Sequence, residues 1–524
     1  MFNRRTFALT AALAAFAVLP LAADWPITEK IDLDAIYRIK DEGLQRSKVM
    51  EIESYLTDVY GPRLTNSPEI KEAGDWAMKT MKEWGLANVH EETWPFGRGW
   101  QNKRMVAMAV TPRAYPLIAY SKPWTPGTKG PVTGDAVLAV INTESDFATW
   151  KGKLRGKFVL TMPLRDVAAH FEAPGHRYTD AELADLAKQP AAGRGRGRGN
   201  FQAQQDFNRK RMEFFVSEGV AALVDFSRGD GGTVFVQAPQ GVSRDPKSPL
   251  QAPQVTIAVE HYGRIVRTLE KKVPVTLQMD IENTFYDDDQ NAFNIVGDLP
   301  GSDKADEVVM LGGHFDSWAS GTGATDNAAG SAVMMEAMRI LKQSGVKLRR
   351  TVRIGLWGGE EEGLLGSKEY IKAHYGDPAT MQLKQPDHAK FAGYFNVDNG
   401  TGQIRGVYLQ GNEAVAPIFN AWMEPFRNMG MTTLTIDNTG GTDHLSYDAV
   451  GLPGFQFIQD EVEYNSRTHH SNMDVYERIQ PQDMMRNAVI VASFVYNTAN
   501  RDEKLPRKPL PKPQPPTGRG TSQH

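Results

Sequence analysis

Between residues 291 and 500 the chain alternates short apolar, strand-like runs with longer helical ones, and few architectures accommodate that rhythm. Strand-like runs fall at 307–311, 351–357, 393–397, 407–409 and 454–458. Helical periodicity falls at 328–343, 364–374, 414–428 and 483–497. Strands separated by helices of this length cannot pair as hairpins. They build a largely parallel sheet covered on both faces. In such sheets, side chains that do chemistry gather in the loops beyond the carboxyl ends of the strands.

The rest of the 524 residues is organised around that block. Leu33, Ile36, Tyr37 and Ile39, then Val49, Ile52, Tyr55 and Leu56, recur at helical spacing. Ser67-Pro68-Glu69 reads as a helix start ahead of Ala73, Trp76, Ala77, Met81 and Trp84. Short strands are expected at 88–92 and 105–111, and a Pro-, Gly- and Thr-rich stretch at 123–134 reads as a domain boundary. Beyond it, strands at 135–141, 157–161, 221–226, 254–259 and 273–281, with helices at 214–219 and 261–271, suggest a smaller α/β unit without chemistry of its own. The expected division is residues 24–127 and 286–500 for the main domain and 128–285 for the inserted one.

Both ends and one internal tract are set apart. Arg4 and Arg5 precede an apolar stretch, residues 6–23, closed by Ala22 and Ala23, which is the pattern of a cleaved export signal. The paired arginines with Phe7 resemble a twin-arginine signal, and Pro20 interrupts a run already short for a spanning helix. The expectation is an exported protein, periplasmic or secreted, with no stable membrane anchor. The Arg-Gly tract at 193–199 reads as a flexible surface loop. A formal net charge of -4 gives no field for nucleic acid, so no nucleic-acid partner is expected. Residues 501–524, rich in Pro and Lys, are expected to be a disordered tail.

The sequence has no cysteine, so a metal would have to be held by His, Asp and Glu. Those residues sit where the sheet rule puts chemistry. The first predicted strand runs into His314-Phe315-Asp316, and Thr325-Asp326-Asn327 opens the following helix. The next two end in Glu360-Glu361-Glu362 and Asp398-Asn399-Gly400, and Thr468-His469-His470 follows the last. Singly, each has a plain explanation: a helix N-cap, an acidic first turn, a solvent-facing imidazole. Together they would be costly to converge without a cation to neutralise them. Nitrogen and oxygen donors without sulfur suit catalytic zinc. Of two adjacent glutamates, one can ligate while the other acts as general base. Asp316 is spaced to hold the second imidazole nitrogen of His314.

In order and spacing, His314-Phe315-Asp316, Gly323-Ala324-Thr325-Asp326-Asn327-Ala328-Ala329-Gly330, Glu360-Glu361-Glu362-Gly363-Leu364-Leu365-Gly366-Ser367, Asn396-Val397-Asp398 and His470-Ser471-Asn472-Met473-Asp474 resemble one family. It is that of the co-catalytic di-zinc exopeptidases, which includes bacterial leucyl aminopeptidase and plasma glutamate carboxypeptidase (carboxypeptidase Q). The resemblance covers residues 291–500 and 31–111. Through Trp150-Lys151-Gly152-Lys153-Leu154-Arg155-Gly156 and Lys157-Phe158-Val159-Leu160, the middle block resembles a protease-associated domain.

This resemblance implies a mixed, largely parallel sheet sandwiched by helices, the zinc exopeptidase fold, with an inserted smaller α/β protease-associated domain. It implies two zinc ions per chain, one held by His314 and Asp398, the other by Glu361 and His470, with Asp326 bridging. Glu360 would be the general base, Asp316 the orienting residue, and the Asp326–Asn327 peptide cis. Gly363-Leu364 sets the register among the three glutamates, and Asp474, four residues on, favours His470 over His469. Asp398-Asn399-Gly400-Thr401 looks more like the glutamate carboxypeptidase branch, and Asp443-His444 matches an element that supports the site loop. His469, Arg467 and Tyr464 are candidate substrate residues; solvated bystander is the competing reading for each.

The implied activity is hydrolysis of N-terminal residues or dipeptides, with the insert as a lid favouring short substrates. Whether it acts as an aminopeptidase, dipeptidase or carboxypeptidase stays open at this point, as does a homodimer. The rivals are a single-zinc glutaminyl cyclase, which would not need His314, and an inactive binding homologue, which would lack ligands. A serine hydrolase is disfavoured because no Gly-x-Ser-x-Gly is present.

Overall fold

A computed structural model describes residues 29–190 and 201–513. The expected export signal, the Arg-Gly tract and the end of the tail lie outside these residues.

The block that alternates in sequence forms an eight-stranded mixed sheet. Its spatial order is Ala87–Pro95, Asn291–Leu299, Arg350–Trp357, Lys304–His314, Phe391–Asn396, Gly454–Gln459, Ile404–Tyr408 and Thr433–Thr435. The four strands from Arg350–Trp357 to Gly454–Gln459 pair in parallel. The strands Ala87–Pro95, Asn291–Leu299 and Ile404–Tyr408 each join antiparallel. Asn291–Leu299 is absent from the sequence expectation because Asn294 and Gly297 break its apolar run. Eight of its nine residues are nevertheless buried, between two partner strands and the helical layer.

One face is covered by Ala329–Gln343 and Pro481–Asn500. The first is buried without interruption from Ala329 to Leu341, and the second starts with proline, whose missing N–H costs nothing at that position. Leu33–Gln45 and Val49–Ser54 complete this layer and its aliphatic core. Leu365–His374 covers the other face over an aromatic core that includes Trp357, Tyr370, Tyr394 and Tyr447. Each fully buried side chain of this size contributes roughly 1.5–3 kcal/mol. That combination gives the rim loops a rigid platform.

A second eight-stranded sheet forms the inserted unit. Its first long strand is Gly99–Thr111, paired antiparallel along its whole length with Thr276–Tyr286. The insert therefore begins near Gly99, not at residue 128 as expected. The stretch at 123–134 misled because Pro and Gly also mark turns within a domain; Trp124 inside it is 2% exposed.

The tail also departs from expectation over its first residues. Leu505 is buried against the core. Arg507 donates to the carbonyls of His388 (2.7 Å) and Phe391 (2.8 Å). Composition predicts disorder, but one apolar anchor and a guanidinium satisfying orphan carbonyls are enough to order a short strap. Among the described residues no helix is long and apolar enough to cross a membrane.

Candidate metal centre

Four loops beyond the carboxyl ends of the parallel strands bring the predicted groups together. His314 closes the strand Lys304–His314 and is fully buried. Its Nε2 lies 3.2 Å from Asp326 Oδ1 and 3.2 Å from Asp398 Oδ1. Its Nδ1 is 3.0 Å from the backbone carbonyl of Asp316, so a neutral ring donating there leaves the Nε2 lone pair for a cation. The orienting contact thus comes from the main chain of Asp316, while its carboxylate stands 3.6 Å off. That carboxylate accepts from the backbone N–H of Glu360 (3.1 Å) and Glu361 (3.3 Å) and from Thr65 Oγ1 (3.0 Å). It shapes the glutamate turn instead of the imidazole.

Asp326 sits at the centre. Asp474 fixes it from below, accepting from Thr325 N–H and Oγ1 and from Asp326 N–H (2.5, 2.8 and 3.2 Å). The Asp326–Asn327 peptide is cis. Gly330, on the first turn of the following helix, has no room for a side chain, since a Cβ would meet the Val397 carbonyl at 2.2 Å. The helix therefore seats directly against the strand that delivers Asp398. Asp326 Oδ1 faces His314 and accepts from Tyr464 Oη at 3.0 Å, while Oδ2 lies 3.1 Å from His470 Nε2. His470 Nε2 is also 3.0 Å from Glu361 Oε2.

The donor atoms suit a metal. Ligand atoms of His314, Glu360 and Asp398 lie within 4.8 Å of one another, as do those of Asp326, His469 and His470. Asp326 Oδ2 and Glu361 Oε1 are buried and receive no hydrogen bond. Burial pushes the Glu361 carboxyl up to about 8, with the Asp326 charge adding to it, and burial also raises Glu360 well above the usual range. Burial opposes protonation of His470, but Glu361 and Asp326 outweigh it and lift the ring to about 10. Four carboxylates around two imidazoles bring an excess of negative charge, and divalent cations would neutralise it.

The other predicted residues fall out differently. His469 is not a solvated bystander: its ring stacks on Tyr464 (centroids 4.6 Å apart), and its Nε2 lies 3.8 Å from Asp326 Oδ2. Arg467 points elsewhere, facing Glu463 at 3.6 Å. Asp443 is fully buried near the cluster, and burial raises it to about 7.

Sequence reasoning missed Arg63. Its guanidinium is fully buried and donates to the carbonyls of Phe315 (2.8 Å), Leu56 (2.6 Å), Thr322 (3.0 Å) and Gly323 (2.9 Å), tying the leading helices to the loop that carries Asp326. It also missed Trp318, edge-on to His470 at 6.1 Å. Neither lies at a strand end in the pattern that pointed to the gathered histidines and carboxylates.

Residues 294–495 match the model of Peptidase family M28. Among curated relatives, carboxypeptidase Q of Bos taurus is 26% identical over 467 residues, spanning 89% of this chain and 88% of its own. A Peptidase M28 precursor from Shewanella amazonensis superposes with a TM-score of 0.65 at 23% identity, covering 91% of this chain and 98% of that one. BSAP, a zinc aminopeptidase from Bacillus subtilis, gives 0.55 at 17% identity, covering 87% and 95%. Strand order and the residues gathered at the sheet's rim agree with this match: the block at 294–495 is similar to Peptidase family M28.

Proposed function

We infer that this chain is an exported zinc exopeptidase that hydrolyses a peptide bond at a chain end or in a dipeptide. One observation carries the reading: the two oxygens of Asp326 face two different histidines, His314 and His470. A carboxylate so placed can bridge two cations. His314 and Asp398 would hold one zinc and Glu361 and His470 the other. Zinc bound there supplies a Lewis acid for the scissile carbonyl and lowers the pKa of the attacking water.

The protein's own residues do the rest. Glu360, its backbone anchored by Asp316, takes a proton as the water oxygen bonds to the carbonyl carbon. It returns that proton to the amine nitrogen as the C–N bond breaks. Tyr464, donating to Asp326, keeps the bridging carboxylate in one orientation. The match to carboxypeptidase Q spans 89% of this chain, so it takes in the insert as well as the block that carries the centre. Export rests on Arg4, Arg5 and the apolar residues 6–23.

Metal analysis of the purified protein, paired with assays on free dipeptides and amino-acid anilides, tests this. About two zinc per chain and activity abolished by a chelator are expected. Glu360→Gln should lower kcat by about 10^3 with zinc content unchanged. Cleavage of dipeptides alone marks a dipeptidase, and cleavage of anilides an aminopeptidase. One zinc without hydrolysis would leave the cyclase reading, and no metal the binding homologue.

A further inference from the structure

The insert does not rest loosely over the centre; it is stitched into the loop that carries Tyr464, His469 and His470. At the near end of that loop, His176 and Val462 exchange backbone hydrogen bonds of 2.7 and 2.8 Å, and Ser466 Oγ donates to the Pro174 carbonyl at 2.7 Å. Arg177 reaches across to Asp460 (2.9 Å) and Asp483 (2.7 Å). At the far end the insert supplies a short antiparallel edge. Val236 N–H donates to the His470 carbonyl (2.9 Å), and Asn472 N–H to the Val234 carbonyl (3.1 Å). Asn472 doubles the edge with its side chain, accepting from Val234 N–H at 2.7 Å and donating to the Gly232 carbonyl at 3.2 Å.

The edge is itself braced. Ser227 Oγ accepts from Phe235 N–H (2.9 Å) and Gly229 N–H (3.0 Å) and donates to the Thr233 carbonyl (3.0 Å). His470 has a backbone φ of +65°, a region that non-glycine residues rarely adopt. Free in solution, a loop would relax away from that conformation. The Val236 N–H grips the carbonyl of the very residue held there.

We propose that residues 232–236 of the insert, with Asn472 as their clasp, position His470 and so set the affinity of the one zinc site that His470 shares with Glu361. Asn472 and Ser227 are positioning residues: they act through the backbone of the His470 loop. The insert is then a structural component of the metal centre as well as a neighbour of it. The metal part of this proposal rests on the zinc reading above, while the loop-holding part does not.

The test compares the full-length parent with Asn472→Ala, Asn472→Asp, which keeps an acceptor for Val234 N–H, and Ser227→Ala, on the insert side of the edge. Two readouts are used: amide hydrogen exchange of metal-free protein and zinc titration followed by metal analysis. Asn472→Ala and Ser227→Ala should speed exchange at 468–474 and 232–237 while leaving 304–314 as protected as in the parent. Each should weaken one of the two zinc sites by about tenfold and leave the other unchanged. Asn472→Asp should recover most of that loss, which a merely destabilised fold would not. Unchanged exchange in Asn472→Ala overturns the proposal, and so does faster exchange with both zinc affinities intact. If the parent itself takes up no zinc, the functional reading falls, and exchange alone decides whether the clasp holds the loop.

Discussion

At the scale of single residues, Asp326 is the pivot, and its neighbours show how its orientation is held. Tyr464→Phe removes the hydroxyl that donates to Asp326 Oδ1. A hydrogen bond to a charged acceptor is worth about 1.5 kcal/mol. The variant should therefore lose about tenfold in kcat/KM and only a few degrees in melting temperature, as kinetics and calorimetry together would show. Glu362 gives a prediction in pH. Burial pushes its carboxyl from 4.5 to about 8, the charge of Asp316 adds to this, and Arg244 opposes it. With the folded pKa raised, the unfolded chain releases its proton first. The stabilising contribution of the protonated carboxyl is full below pH 4.5 and is lost as pH rises toward 8. Glu362→Gln should then stabilise the metal-free protein by roughly 3 kcal/mol at pH 7.5 and by almost nothing at pH 4.5, measured by denaturant melts. The residues of the candidate centre were legible at this scale because His314, Glu360 and Asp398 stand at or just past strand ends, Asp326 opens a helix, and His470 lies in the loop after the last of these strands. Arg63 was not, because its guanidinium acts on the Phe315 carbonyl, 252 positions away.

At the scale of elements, periodicity located most strands and helices of the main sheet and failed where a segment's environment overrides its own pattern. Asn291–Leu299 is a strand because two partners and a helical layer bury it. Helical periodicity at 414–428 resolves into Ala416–Met423 followed by a tighter turn, Glu424–Met429, where Pro425 has no N–H to continue the ladder. The ordered strap after the last helix is the clearest case for experiment. Leu505→Ala removes a buried leucine and should cost about 2–4 kcal/mol in a denaturant melt. Arg507→Ala strips hydrogen bonds from carbonyls next to the strand Phe391–Asn396 and should cost about 1–2 kcal/mol. A truly disordered tail would show neither loss.

At the scale of the whole molecule, the two sheets share a seam. Leu64 and Trp318 of the main domain pack with Trp100 and Trp124 of the insert in one buried cluster, and the backbone edges at 462 and 470–472 add to it. Separate domains commonly unfold in separate steps. This seam predicts a single calorimetric transition in which calorimetric and van't Hoff enthalpies agree. Two resolved transitions would mean that the insert unfolds on its own and that the seam contributes little.

The sequence by itself determined the parallel centre of the main sheet, the rim at which chemistry gathers, and the identity of the groups that gather there. Those follow from short-range rules: the alternation of apolar runs, the spacing of strand ends, and the donor chemistry of His, Asp and Glu in a chain without cysteine. Tertiary structure alone decided which oxygen of Asp326 meets which histidine. It also decided that Asp316 spends its carboxylate on the glutamate turn, that Gly99–Thr111 joins the second sheet, and that the insert grips the His470 loop. Each of these depends on pairing between segments far apart in the chain. A backbone N–H or carbonyl carries no side-chain signature of the partner it will find, so such pairings leave no mark in a single sequence.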